Sequence, residues 1–155
     1  MIIVSACLCG INTKYNGDNN LDERILKLLK EGKAIPVCPE QLGGLTTPRA
    51  AHEISNGTGA DVLDGKCKVK GIDGQDSTEE FIKGAYETLN IVKKCNVTTA
   101  ILKAKSPSCG YGKIYDGTFT GNKIDGNGIT AELLKRNGIK VYTEEDEFRN
   151  LYMTY

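Results

Sequence analysis

Short β-branched runs alternate with amphipathic stretches along this chain. Residues 2–6 (Ile-Ile-Val-Ser-Ala), 34–37 (Ala-Ile-Pro-Val), 97–102 (Val-Thr-Thr-Ala-Ile-Leu) and 139–142 (Ile-Lys-Val-Tyr) are each bounded by turn residues. Such runs read as buried strands. Between them lie helical patterns. Residues 22–31 carry Ile25, Leu28 and Leu29 on one stripe, with Asn20 placed to cap and Gly32 to stop the helix. Ser77-Thr78-Glu79-Glu80 has the form of a capping box, and Phe81, Ile82, Ala85, Tyr86, Leu89 and Val92 follow at helical spacing. Residues 129–136 form a third helix, closed by Asn137-Gly138, and a short fourth runs from 144 to about 151. Residues 60–69, with Asp64-Gly65 at their centre, have the pattern of a β-hairpin with a primed turn. Residues 113–119 are a short strand or an ordered loop.

Strand, helix and strand in the first 37 residues make a βαβ unit, which implies parallel pairing. The expected fold is therefore α/β: one domain over residues 1–155, three-layered and Rossmann-like. It has a mainly parallel sheet of about four strands plus a small β-hairpin. Gly10 and Gly17 do not form the dinucleotide fingerprint, so a Rossmann cofactor is disfavoured.

Three of the predicted strands end in a cysteine. Cys7 follows the first, Cys38 the second, and Cys109 the third, through Lys105-Ser106-Pro107-Ser108-Cys109-Gly110-Tyr111-Gly112. Pro107 keeps Ser106 out of the helical region, so this loop turns sharply and carries a thiol and two hydroxyls. Ligands of open α/β sheets bind at the carboxyl ends of strands. If the three strands are parallel neighbours, their sulfurs converge on one rim.

Composition narrows the partners. The 20 basic and 20 acidic residues balance, with no long run of either sign, which argues against a nucleic-acid surface or a membrane patch. The opening Met1-Ile2-Ile3-Val4 lacks the basic region of a signal peptide, and no stretch nears the ~18 apolar residues of a membrane span. A cytoplasmic protein is expected. Six cysteines in a reducing compartment then divide among metal, catalytic and core roles rather than disulfides. Cys67, beside Val69, and Cys95, in register with Ile91 and Val92, read as core. Cys9, two residues from Cys7, is open to metal binding or a redox pair.

Three convergent thiolates suit several centres. Zinc in a structural site takes four ligands, and the lone histidine, His52, has no ligand-like spacing. A cubane iron–sulfur cluster held by three cysteines leaves one iron open as a Lewis acid, soft enough to bind sulfur. Beside the cysteines, Glu40 is a candidate general acid or base, or a helix cap. Ser106 is a proton carrier or a turn cap. Arg49 is a substrate clamp or an ion-pair partner of Glu53. Ser108 is the loop's second hydroxyl and a candidate substrate contact. The turn Gly126-Asn127-Gly128 offers backbone N–H groups to an anion. A non-catalytic zinc or iron–sulfur scaffold or sulfur carrier, and a metal-free thiol enzyme using Cys7 and Cys9, stay open at this point.

Four blocks carry a resemblance. They are Val4-Ser5-Ala6-Cys7-Leu8-x-Gly10 with Lys14-Tyr15-Asn16-Gly17, then Cys38-Pro39-Glu40-x-Leu42-Gly43-Gly44-Leu45-x-Thr47-Pro48-Arg49. The third is Ile101-Leu102-Lys103-Ala104-Lys105-Ser106-Pro107-Ser108-Cys109-Gly110 with Ile114-Tyr115-Asp116-Gly117-Thr118-Phe119, and the fourth Gly126-x-Gly128-Ile129-Thr130-Ala131. Together they resemble a bacterial and archaeal family, formerly a domain of unknown function, that includes the thiouracil desulfidases. The resemblance implies a [4Fe–4S] cluster on Cys7, Cys38 and Cys109, supplied by cluster-assembly machinery. It implies Glu40 and Ser106 as catalytic residues, and non-redox desulfuration of a small thiolated substrate such as 2-thiouracil. Cys9 departs from the family pattern, where leucine is common.

Overall fold

The computed structural model of the chain describes residues 1–147. Its central sheet is parallel and contains β1 (Ile2–Ser5), β2 (Ala34–Val37), β5 (Thr99–Leu102) and β8 (Lys140–Thr143), in the order β2-β1-β5-β8. Two antiparallel ribbons flank it. One pairs β3 (His52–Ser55) with β4 (Lys68–Gly71), and the other pairs β6 (Lys113–Tyr115) with β7 (Lys123–Asp125).

Alternation along β1 builds the layers. Successive side chains of a strand face opposite sides. Ile2 and Val4 pack with Leu8, Ile25 and Leu28, covered by α1 (Glu23–Lys30). Ile3 packs on the other side with Phe81, Leu89 and Leu134, from α4 (Thr78–Lys94) and α5 (Ile129–Arg136). Each fully buried side chain such as Phe81 or Ile25 contributes about 1.5–3 kcal/mol. The three-layer, mainly parallel architecture matches the expectation from the sequence.

A close backbone contact sets the second strand's exit. The turn α2 (Pro39–Leu42) lies against α4, where a Cβ on Gly43 would strike the Glu80 carbonyl and one on Gly84 would strike the Pro39 carbonyl. Only glycine at both points lets the two backbones touch. That contact fixes the peptide carrying Cys38 and Glu40.

The helix starts differ from the sequence reading. Asp22, not Asn20, caps α1, with Oδ1 accepting from the Arg24 N–H at 3.0 Å. Ser77 stands at the start of α4, but its hydroxyl is 2.8 Å from His52 Nε2. Asp76 Oδ1 instead accepts from the Thr78 N–H at 3.0 Å, so the expected capping box does not form. Cys95 ends α4 exposed rather than buried, and Tyr86 is 54% exposed, off the helix's core stripe.

The hairpin expected over residues 60–69 is a correction. Residues Gly59–Leu63 form a short helix, α3. Asp61 Oδ2 accepts from the Thr58 N–H at 2.9 Å and the Thr58 hydroxyl at 3.2 Å, which closes the helix start. Asp64-Gly65 is that helix's end, with Gly65 at φ +78, not a hairpin turn. The following strand, β4, pairs instead with β3. Cys67 precedes it half-buried, its thiol donating to the Asn56 carbonyl at 3.3 Å. Of the helix expected from 144 to about 151, residues 144–146 form a turn or bend, and the part beyond 147 lies outside the described residues. Among the described residues no helix is long and apolar enough to cross a membrane.

Candidate active site

The loop after β5 is held from two directions. Inside it, Ser106 Oγ accepts from the backbone N–H of Ser108 at 3.1 Å and of Cys109 at 2.9 Å. From outside, the first N–H groups of α5 dock onto it. Gly128, Ile129 and Thr130 donate to the carbonyls of Gly110, Pro107 and Ser108 at 2.7, 2.9 and 2.9 Å. The N–H groups that the sequence offered to an anion therefore hold the cysteine loop. Ser108 is 1% exposed, its hydroxyl 2.9 Å from Thr130 Oγ1. The structure places it in the packing beneath the loop rather than on the cleft wall.

Cys7 lies in a tight turn of 3-10 helix, Ala6–Cys9, at the end of β1, and Cys38 immediately precedes α2. Together with Cys109, Glu40 and Ser106 they line one cleft of about 560 Å³ at the carboxyl rim of the sheet. Burial pushes all three thiols up. Cys38 is pushed up to about 11 by burial and then by the Glu40 charge. Cys109 is raised well above the usual thiol range by the same two causes, against a hydrogen bond with Ser5. Cys7 is raised by burial, offset by a hydrogen bond with Asn20. Each feels the charge of at least one other cysteine or of Glu40, as side chains facing a common space do. Cys9 points into the core with Leu8 and Ile25, its thiol pushed up to about 11 by burial.

This donor set fits a thiolate-ligated cluster. Three soft donors, from the ends of three strands, face an open cavity rather than a closed coordination sphere. Among the described residues, no three His, Cys, Asp or Glu side chains are close enough to share a single metal ion; the three cysteines share only the cleft, as the ligands of a cubane do, which stand farther apart than those of one ion. His52 is otherwise engaged, with Nδ1 2.7 Å from the Ala50 carbonyl and Nε2 2.8 Å from Ser77 Oγ.

Glu40 and Arg49 meet in the cleft wall. Arg49 Nη2 lies 3.3 Å from Glu40 Oε2, with side chains only 8% and 14% exposed respectively. Nη2 also donates to the Thr13 carbonyl at 3.0 Å, and Nη1 to Thr47 Oγ1 at 3.0 Å and the Thr46 carbonyl at 3.4 Å. The guanidinium is thus occupied in tying the 13–15 and 46–49 loops to Glu40. The alternative partner considered for Arg49, Glu53, works elsewhere. Its Oε1 accepts from the backbone N–H of Gly117 at 2.9 Å and of Phe119 at 3.1 Å.

The cleft contains side chains to which the sequence reading assigned no role in a site. Asn20, read as a helix cap, instead hydrogen-bonds Cys7. Lys103 reaches the cleft from the end of β5 and pairs with Glu144 at 2.9 Å. The opposite wall comes from the ribbons, with His52, Ile72, Tyr115 and Phe119. Only the block Tyr115-Asp116-Gly117-Thr118-Phe119 carried any signal for that wall, and it gave no role to any of its residues.

Fold and cleft are those of a Rossmann-like α/β protein with a cysteine-lined pocket at the carboxyl rim of its sheet. The model of the 2-thiouracil desulfurase family matches residues 2–146, and the chain belongs to that family. It is 51% identical over 146 residues to the uncharacterized protein YbbK of Bacillus subtilis (strain 168), covering 94% of this chain and 97% of that one. Among solved structures it is similar to the [4Fe–4S]-dependent thiouracil desulfidase TudS. That match has a TM-score of 0.84 and 39% identity, and covers 99% of this chain and 95% of that one.

Proposed function

We propose that the chain is a [4Fe–4S]-dependent desulfidase acting on thiolated nucleobases of the 2-thiouracil type. Water replaces sulfur: thiocarbonyl plus water gives carbonyl plus hydrogen sulfide, with no net oxidation or reduction. The observation that carries this reading is that Cys7, Cys38 and Cys109 line one cleft with Glu40 and Ser106. The likeness to TudS supports it. Cys7, Cys38 and Cys109 would hold the cluster, delivered by cluster-assembly machinery in the cytoplasm. When bound, it supplies an iron without a protein ligand, a soft Lewis acid suited to a thiocarbonyl sulfur.

The chain's own groups supply the rest. Glu40 takes the proton from the attacking water, and Arg49 holds its carboxylate in place. Ser106 Oγ already accepts two N–H groups, so its hydroxyl offers the substrate a proton and little else. It is a hydrogen-bond donor to the reacting group rather than a base. A non-catalytic scaffold calls for a fourth protein ligand. Cys9 faces the core and His52 is engaged at both nitrogens, which favours the catalytic reading.

The test is anaerobic reconstitution followed by addition of 2-thiouracil, with loss of thione absorbance and release of sulfide followed together. Uracil and sulfide are expected in equal amounts. A reconstituted protein that holds a cluster but turns over no thiolated base overturns the substrate assignment. Failure to take up any cluster overturns the centre itself.

A further inference from the structure

Phe119 stands out among the cleft-lining residues because its backbone is in the left-handed region, at φ +58. A bulky aromatic residue rarely adopts that conformation, and it persists only where neighbouring groups enforce it. Here three features do so. Glu53 Oε1 accepts from the N–H groups on both sides of Thr118, those of Gly117 and Phe119. Asp116 Oδ1 accepts from the Thr118 N–H at 2.9 Å and from its hydroxyl at 2.6 Å. Gly117, at φ +93, presses against β3, where a Cβ would strike the Ile54 carbonyl. The loop between β6 and β7 is thereby pinned to the β3 ribbon. Phe119 is half-buried and belongs to neither apolar cluster, yet it lines the same cleft as the three cysteines.

An aromatic face held in a strained, buttressed position on a cleft wall is what a flat heterocycle needs. Aromatic rings stack on bases through their π faces, whatever the ring's substituents. We infer that Phe119 is the specificity-determining contact for the substrate ring. It receives the planar face of a pyrimidine-like heterocycle, and Glu53 is a positioning residue that holds it there. This rests on the desulfidase reading and adds to it. The rim wall reads the sulfur, and the ribbon wall reads whether the ring that carries it is flat.

Binding of uracil, the product ring, tests this without turnover. Calorimetry on the reconstituted protein compares uracil with dihydrouracil, whose ring is saturated and puckered. The intact protein is expected to prefer uracil. Phe119→Leu is expected to weaken uracil about tenfold while leaving dihydrouracil within about twofold, which erases the preference. Glu53→Ala is expected to reproduce that loss, and the double variant to add little to either. Equal uracil affinity in the intact protein and Phe119→Leu overturns the inference, as does no preference in the intact protein. The chain contains no tryptophan, so Phe119→Trp places a single reporter in the loop. Saturable quenching of its emission by uracil supports the contact, and emission unmoved by saturating uracil overturns it. Failure of the desulfidase reading shows separately, as no loss of 2-thiouracil by the intact reconstituted protein.

Discussion

One wall of the cleft comes from the ends of β1, β2 and β5, and the facing wall from two antiparallel ribbons. The rim wall is held by backbone hydrogen bonds between neighbouring parts of a rigid sheet and its helices. The Cys109 loop alone is braced by Ser106 and by three N–H groups of α5. The loop of the ribbon wall is held instead through side-chain acceptors, the Glu53 and Asp116 carboxylates, and by Gly117 pressing on β3. The proposed ligands and proton carriers thus stand on loops tied backbone to backbone, and the proposed ring contact on a loop tied through side chains. Chemistry that depends on three sulfurs at fixed spacing tolerates little displacement, whereas a stacking contact tolerates more.

The sharpest break in that comparison is Cys109→Ser. A hydroxyl is a poor ligand for iron, and Cys109 is the most enclosed of the three. Cluster absorbance after reconstitution and all turnover are expected to be lost. A Phe119 variant should retain the cluster in full. Retention of the cluster by the serine variant would remove Cys109 from the ligand set.

Next in size is Glu40→Gln. The amide keeps the shape and can still accept from Arg49, but it cannot take a proton. Turnover is expected to fall about 10²–10⁴-fold with cluster content unchanged. A fall of less than about threefold, at intact cluster content, would assign the proton step to another group.

The difference between the walls also decides what the sequence disclosed. The rim was legible because its determinants are local. A β-branched run followed by Cys with Gly or Pro signals a strand end, and strand ends share one rim once pairing is parallel. The sharp turn of the 105–112 loop was legible from Pro107 and its glycines, but not the separate roles of its two serines. The ribbons were not legible, because β3 pairs with β4 across intervening residues that fold as α3. Asp64-Gly65 suits a hairpin turn and a helix end equally, and only the Thr58–Asp61 pair tips it to the helix. Asn20 and Ser77 carry the same ambiguity. Each is a good cap by position, and tertiary partners, Cys7 and His52, claim its side chain instead. Ser108 and Ser106 look alike in the sequence, and only the approach of Thr130 separates them.

A smaller effect concerns the cluster-free chain. The folded state raises the Cys38 thiol from 9.0 to about 11, so it favours the neutral form. Its contribution to stability is full below pH 9 and is lost as pH rises toward 11. The shift is worth about 2–3 kcal/mol. Urea unfolding of the cluster-free protein and of Cys38→Ser, each at pH 8 and pH 11, should show the gap between them shrinking by about that amount. A gap that does not change with pH would mean that this thiol is solvated, and that the rim wall is looser than its hydrogen bonds indicate.

The smallest effect separates the two loop hydroxyls. Ser108→Ala leaves Thr130 Oγ1 without its partner inside the protein, at a cost of about 1 kcal/mol, or roughly 3 °C in Tm. Turnover should stay within about twofold, because nothing of Ser108 faces the cleft. Ser106→Ala removes the acceptor of two loop N–H groups as well as the proposed donor to the substrate, so it should lower both Tm and kcat. If Ser108→Ala instead lowered turnover at unchanged Tm, its side chain would have to reach the cleft. The docking of α5 on the cysteine loop would then have to open during the reaction, and the rim would no longer be the rigid wall.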